Sequence, residues 1–327
     1  MSKIGDLIRN AKELILVPEI YDCSSALAAQ INGFNCIMVS SADFACSLTG
    51  IPDLQLLSVD EYCMLTERLS NMSDCPVVLD IDAGFGTPLK TYYACKRLAR
   101  AGAAGVLVTD AQENNIPGKI GDLDLVKLRI KAARDGFAEM GDDDALIIAR
   151  CDVNPATDFD YCIERCNEYL ASGANMICLA PFGIHTYKGD KKELARRLGE
   201  GIKGWIWWPD LTADEKGNPE IELSDLFSFG YKMTGIHYSL HAAMVAMLDC
   251  GRHVIKDRNN VHVTKAYDYT GYRFFSPIGY FGLIDQKWEK VIDKYIKQGE
   301  KNSARNKRGY FCKQDDCYDP DNPGLGK

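Results

Sequence analysis

Asp80 and Asp82 close an apolar run, Val77–Asp82, and Ala83-Gly84-Phe85-Gly86 follows at once. Carboxylates at i and i+2 of a strand point to one side, and the two glycines allow a sharp turn behind them. Side by side in one mouth they repel each other unless a proton or a divalent cation intervenes, and Mg2+ suits a set of oxygen-only ligands. Helix N-capping would explain one such Asp, but not two inside an apolar strand. Further along, Thr109-Asp110 and Arg150-Cys151-Asp152 also terminate apolar runs. An arginine after Leu146–Ala149 needs a partner if it turns inward. Its planar fork suits a carboxylate or an enolate oxygen, and a structural pair with a nearby Asp is compatible with either. Ser40-Ser41-Ala42 could offer backbone N–H groups to an anion. His237 and His185 are each a candidate acid or base, or an ordinary hydrogen-bonded histidine.

These residues need elements to hold them. Short apolar or β-branched runs recur at Leu14–Val17, Cys36–Ser40, Val77–Asp82, Val106–Asp110, Leu146–Asp152, Met176–Ala180, Trp205–Trp208 and Met233–His237. Between them lie segments of helical periodicity such as Val59–Met72, Leu89–Ala101, Leu123–Met140 and Tyr161–Ala171. Strand and helix in alternation mean parallel βαβ units, and eight of them most simply close into a (β/α)8 TIM barrel of the α/β class. Leu14 to Asp257 is close to the ~250 residues such a barrel takes. The expected organisation is therefore a barrel over residues 1–257, an aromatic-rich segment with a helix over 258–298, and a polar tail over 299–327. In the second part Ile284, Trp288, Val291 and Tyr295 share one helical face. That face can bury against a neighbouring subunit or against its own barrel.

The chain has 327 residues, 46% of them apolar and 26% charged, with a formal net charge of −8. This is the profile of a soluble globular protein and excludes disorder, collagen and coiled coil. The acidic balance argues against a partner that is nucleic acid, because phosphate binding needs a concentrated basic surface. The five basic residues between Lys301 and Lys313 read as a solvated tail. The opening residues have no apolar core of a signal peptide, and no later run approaches the ~18 apolar residues of a membrane span, so a cytoplasmic location is expected. Thirteen cysteines in such a chain read as reduced thiols. Cys36, Cys46, Cys75 and Cys178 sit in apolar segments, and Cys162, Cys166 and Leu170 share an i, i+4 stripe that favours packing over metal ligation. Cys312 and Cys317 lack the second ligand pair of a zinc site.

Taken together, Val17-Pro18 with Tyr21-Asp22, Val39-Ser40-Ser41, Ser47-Leu48-Thr49-Gly50-Ile51-Pro52-Asp53, Asp80-Ile81-Asp82-Ala83-Gly84-Phe85-Gly86 and Ala149-Arg150-Cys151-Asp152 resemble the isocitrate lyase and phosphoenolpyruvate mutase superfamily, in its methylisocitrate lyase-like branch. Order and spacing agree over roughly residues 14 to 180, and the Asp-x-Asp-x-Gly-aromatic-Gly element is the most specific part. The resemblance implies a Mg2+-dependent carbon–carbon lyase acting on a small 2-oxo or 2-hydroxy carboxylic acid through a pyruvate-like enolate. It implies Asp53, Asp80 and Asp82 as metal-site residues, and Arg150, Asp53 and Tyr21 as catalytic ones. Ser40, Ser41, Ala42, Arg150, Lys119 and His237 are expected on the substrate. It also implies a homodimer or homotetramer that exchanges its C-terminal helix between subunits.

The chain departs from that pattern in places. Thr109-Asp110 stands where the family carries Glu-Asp, and Ala180-Pro181 where it carries Pro-Glu. The loop Asn115-Ile116-Pro117-Gly118-Lys119-Ile120-Gly121-Asp122 has neither the Lys-x-Cys-Gly-His of the lyases nor the Lys-Thr-Asn-Ser of the mutases. Two alternatives follow: a phosphonate enzyme of the mutase or phosphonopyruvate hydrolase type, and a non-catalytic barrel that binds a carboxylate.

Overall fold

The computed structural model describes residues 4–112 and 119–267, together with 290, 291, 294 and 295. Eight parallel strands close into a barrel in sequence order. They are β1 (Ile15–Ile20), β2 (Ile37–Val39), β3 (Val77–Asp80), β4 (Gly105–Thr109), β5 (Leu146–Cys151), β6 (Met176–Leu179), β7 (Trp205–Trp208) and β8 (Tyr231–Ile236). The ring is completed where β8 pairs with β1, Val17 lying opposite Gly235. Helices fill the crossovers: α1 (Ile4–Asn10) precedes β1, then come α2 (Cys23–Ile31), α3 (Ser41–Thr49), α4 (Val59–Met72), α5 (Pro88–Ala101), α6 (Leu123–Ala138) and α7 (Phe159–Ala171). After β6 follow α8 (Pro181–His185), α9 (Lys191–Gly201), α10 (Leu223–Ser228), α11 (Ser239–Asp257) and α12 (Val261–Tyr267). The expected TIM barrel is therefore what the chain forms.

Strand alternation divides the core into two layers. Ile15 and Val17, Met38, Val78, Leu107, Ile148, Met176, Trp207 and Met233 form one buried cluster inside the ring, which Ile4 and Ile8 of α1 join at the end where the strands begin. The alternate residues, among them Ile20, Val39, Leu79, Val108, Ala149 and Leu179, pack outward on Leu65, Leu69, Leu98, Ile130, Phe137 and Leu198 of the helices. This parity fixes what the mouth contains. Continuing two residues beyond Val17, Val78, Leu107, Ile148 and Met176 brings Glu19, Asp80, Thr109, Arg150 and Cys178 onto the inner face at the C-terminal ends of their strands.

Several expected boundaries move. β1 starts one residue later than the Leu14–Val17 run and extends to Ile20, because Pro18 and Glu19 break the apolar pattern without breaking the strand. β3 ends at Asp80, so Asp82 belongs to the following turn, and its φ of 52° puts it in the left-handed region. Asp110, Asp152 and His237 likewise fall just past their strands. Cys36 and Cys178 are buried as expected, but Cys46 is exposed on α3. Cys162 and Cys166 are buried on α7, and they meet Cys151 of β5 with all three sulfurs within 4.8 Å of one another.

The chain divides into two compact units, Met1–Asp249 and Cys250–Lys327. Every residue of the mouth lies in the first. The expected aromatic segment, exchanged helix and polar tail fall outside the described residues from 268 onward, apart from 290, 291, 294 and 295. Most of the loop Asn115–Asp122, up to Gly118, falls outside them as well.

Candidate active site

The turn after β3 gathers the acidic centre. The Asp82 N–H donates to Asp80 Oδ1 at 2.9 Å, which ties the two carboxyl-bearing residues together in place of strand pleating. Gly84 (φ 71°) and Gly86 (φ 103°) complete the turn. A Cβ on Gly84 would lie 2.6 Å from Thr91 Oγ1, the hydroxyl that donates to the Gly84 carbonyl, so this position requires glycine. From α6, Arg129 Nε donates to the Gly86 carbonyl at 2.7 Å and fixes the far side of the turn.

Burial, and then the neighbouring charges of Asp53 and Asp152, push the Asp80 carboxyl up to about 6, against the pull of Arg150 and the Asp82 N–H. Burial, then Asp80 and Asp53, push the Asp82 carboxyl well above the usual range, while a hydrogen bond with Ser41 opposes this. Asp53, in the segment between α3 and α4, thus shares one field with Asp80 and Asp82. Beside them Tyr62 of α4 is buried, its ring edge-on to Phe44 and Phe85, and its hydroxyl has no hydrogen-bond partner among the described residues. Crowded carboxylates with raised proton affinity, all hard oxygen donors, are a donor set that a divalent cation relieves. The residues present therefore fit Mg2+.

Arg150 faces this centre from β5. Its Nε donates to Asp152 Oδ1 at 2.8 Å and its second terminal nitrogen to Oδ2 at 3.3 Å. Burial works against the guanidinium charge, but Asp152 and Asp80 outweigh it and raise its pKa, so Arg150 stays cationic. The structural pair with a nearby Asp expected from sequence is thus present, and the guanidinium keeps its charge at the mouth. Thr109 also points inward, with its hydroxyl 3.4 Å from Asp152 Oδ2. A carboxylate therefore stands against the position where β4 itself carries none. Asp110 points the other way. It accepts from the Asp152 N–H at 2.7 Å and the Tyr169 hydroxyl at 2.6 Å, and it pairs with Arg165 at 3.2 Å behind the barrel wall.

Ser40 caps α3, its hydroxyl accepting from the Asp43 N–H at 3.3 Å, so Ser41 and Ala42 form the first turn of a helix that starts at the mouth. Ser40 and Ser41 are buried and Ala42 is half-buried. Tyr21 follows β1, half-buried, with its N–H donating to Ser25 Oγ; burial, then Asp22 and Asp43, raise its phenol pKa. Lys119 is exposed and its carbonyl accepts from Gln112 N–H at 3.0 Å, pinning the base of the loop through the bridge of Ala111 with Ile120. No described contact joins it to the carboxylates. His185 ends α8 with its Nε2 buried and without a hydrogen-bond partner among the described residues, and burial lowers its pKa.

His237, just past β8, approaches two carboxylates. Its Nε2 is 3.0 Å from each oxygen of Asp43, and its Nδ1 is 3.9 Å from Glu19 Oε2. Sequence reasoning missed Glu19, Asp43 and Tyr62. Glu19 alone left a usable signal, since a carboxylate inside an apolar strand must face something polar or a mouth.

Residues 6–201 match the family model for phosphoenolpyruvate phosphomutase. The chain belongs to this family. Among its relatives in the phosphoenolpyruvate mutase and isocitrate lyase superfamily, the 2-methylisocitrate lyase of Aeropyrum pernix is 27% identical over 90% of this chain and 91% of its own length. The 2,3-dimethylmalate lyase of Eubacterium barkeri is 26% identical over 76% of this chain and 83% of its own. Some relatives match over about half their length, such as the 2-methylisocitrate lyase of Bacillus subtilis, 28% identical over 52% of this chain and 56% of its own. Among solved structures, phosphonopyruvate hydrolase in complex with oxalate and Mg2+ superposes with a TM-score of 0.74 at 17% identity, covering 90% of this chain and 99% of that one. At that identity the family member shares the fold.

Proposed function

We propose that this phosphoenolpyruvate phosphomutase family member is a Mg2+-dependent carbon–carbon lyase. It would cleave, or in reverse form, the bond next to a carboxylate in a small 2-oxo or 2-hydroxy acid through a pyruvate-like enolate. The observation that carries the proposal is the convergence of Asp53, Asp80 and Asp82 with the cationic Arg150 at the C-terminal end of one closed barrel, where this architecture keeps its chemistry. Relatives named 2-methylisocitrate lyase, 2,3-dimethylmalate lyase and oxaloacetate decarboxylase support the reaction class.

Asp80, Asp82 and Asp53 would hold the cation, which when bound supplies positive charge at the substrate carboxylate and the adjoining oxygen. Arg150 would stabilise the negative charge that grows on the enolate oxygen as the bond breaks, and Asp152 keeps its fork from swinging away. Ser40, Ser41 and Ala42 would receive the substrate carboxylate on the first turn of α3, where N–H groups lack intrahelical partners. Tyr21 and Asp53 would act beside the reacting atoms, and Lys119 and His237 would bound the substrate from the loop and from β8.

The second reading, phosphonate chemistry, is favoured by the family model itself and by a relative from Arabidopsis thaliana named carboxyvinyl-carboxyphosphonate phosphorylmutase. A panel of 2-methylisocitrate, 2,3-dimethylmalate, oxaloacetate and phosphonopyruvate, each with Mg2+ and coupled to detection of pyruvate and phosphoenolpyruvate, separates the two. Pyruvate from one of the first three is the expected result, and pyruvate or phosphoenolpyruvate from phosphonopyruvate alone would replace the lyase by the phosphonate enzyme. Metal-dependent ligand binding without turnover of any of them would leave the non-catalytic barrel.

A further inference from the structure

A lyase that ends on an enolate must return a proton to carbon, and the loop Asn115–Asp122 contains neither cysteine nor histidine to do so. The mouth offers few substitutes. Cys178 is on the inner face, but burial pushes its thiol up, which makes it a poor acid. Tyr21 is made a weaker acid by burial, Asp22 and Asp43. Burial lowers the pKa of His185, so that imidazole is neutral.

His237 is different in its geometry. Nε2 is committed to Asp43, 3.0 Å from both oxygens of a side chain that is only 9% exposed. An imidazole held on that nitrogen by a carboxylate is fixed in orientation and favoured in its protonated form. The other nitrogen, Nδ1, is 3.9 Å from Glu19 Oε2, within reach of its charge but too far for a hydrogen bond, so its N–H stays available to a ligand in the mouth. The groups facing the ring come from three elements: Glu19 of β1, Asp43 of α3 and Asp210 after β7. All three are acidic. The Asp43 hydrogen bond, then the Glu19 charge, raise the imidazole to about 9 against the opposing effect of burial. Burial, against the pull of His237, pushes the Glu19 carboxyl up to about 7, and Asp80 adds to that rise, which places Glu19 in the field of the metal-site carboxylates.

We infer that His237 is the proton donor to the enolate carbon, with Asp43 as the residue that positions it. This rests on the lyase reading above. In the step, the enolate electron pair forms a C–H bond, the Nδ1–H bond breaks, and imidazolium becomes imidazole. The imidazole then regains its proton from solvent, so one solvent proton is taken up for each enolate quenched.

Deuterium exchange into the methyl group of pyruvate, followed by proton NMR in D2O with Mg2+, reads this step in the enolising direction without knowledge of the true substrate. The wild-type protein is expected to exchange the methyl protons. His237→Gln is expected to slow exchange by about 10² to 10⁴-fold, the range for loss of one general acid–base group, with its circular dichroism unchanged. Asp43→Asn is expected to move the inflection of the exchange-rate profile to lower pD, which a merely structural role would not do. Exchange by His237→Gln at the wild-type rate would overturn the assignment, as would a wild-type protein that binds oxalate with Mg2+ but exchanges nothing. Absence of Mg2+-dependent oxalate binding in the wild type would instead overturn the lyase reading itself.

Discussion

Arg150 is held by Asp152 while it faces the mouth, and that restraint makes its chemistry specific. A lysine at the same position keeps a charge but loses the planar fork that engages both oxygens of Asp152. Arg150→Lys should therefore retain the fold and lower kcat/KM by about 10² to 10³, the usual loss when one donor to a developing oxyanion is removed. Steady-state kinetics on the acid that turns over, with a circular dichroism control, check this, and a change below threefold would contradict the role. Asp80, Asp82 and Arg150 were legible in sequence because charged residues that interrupt apolar strands at their ends have few other uses. Asp43 and Tyr62 were not. Each is an unremarkable residue of a helix, and only the folding of α3 and α4 over the barrel rim brings them to His237 and to the carboxylates. Asp82 was legible for a partly mistaken reason: the turn and its hydrogen bond to Asp80, not the strand pleat, hold the pair together.

Among the elements, β4 shows how one residue's parity separates structure from chemistry. Thr109 turns into the mouth and Asp110 turns out, where it is fully buried against Arg165 and Tyr169 of α7. Removing one partner of a buried pair leaves a charge without compensation, so Arg165→Ala should cost about 3–5 kcal/mol in urea unfolding. Burial, then Cys151 and Asp152, already push the Asp110 carboxyl up to about 7. Below that pH the carboxyl can protonate, and the penalty of the variant should shrink. A loss under about 1 kcal/mol at pH 8 would show that the pair is dispensable. The strands and the long helices were readable from apolar periodicity. The helices α2 and α3 were less so, being short and rich in Ser and Ala. Their signals lie in caps instead: Asp22 with Ser25 forms a capping box, and Ser40 opens α3 while Gly50, at φ 70°, closes it.

At the scale of the molecule, α11 carries a row of apolar side chains on its surface. The first turns of α11 expose Met244, Val245, Met247 and Leu248. Such a row is expected to be covered by a second copy of the chain, in keeping with the expected homodimer or homotetramer, and light scattering after gel filtration should give two or four times the chain mass. A monomer across micromolar concentrations would contradict that expectation. Among the described residues no helix is long and apolar enough to cross a membrane. The central claim concerns the mouth, where Asp53, Asp80, Asp82 and Arg150 are read as a cation and enolate site. Oxalate mimics the pyruvate enolate, and calorimetric titration of the protein with oxalate tests that reading most directly. Binding is predicted to require Mg2+ and to be lost in Asp82→Ala; oxalate affinity that is equal with and without Mg2+, or unchanged in that variant, would contradict it.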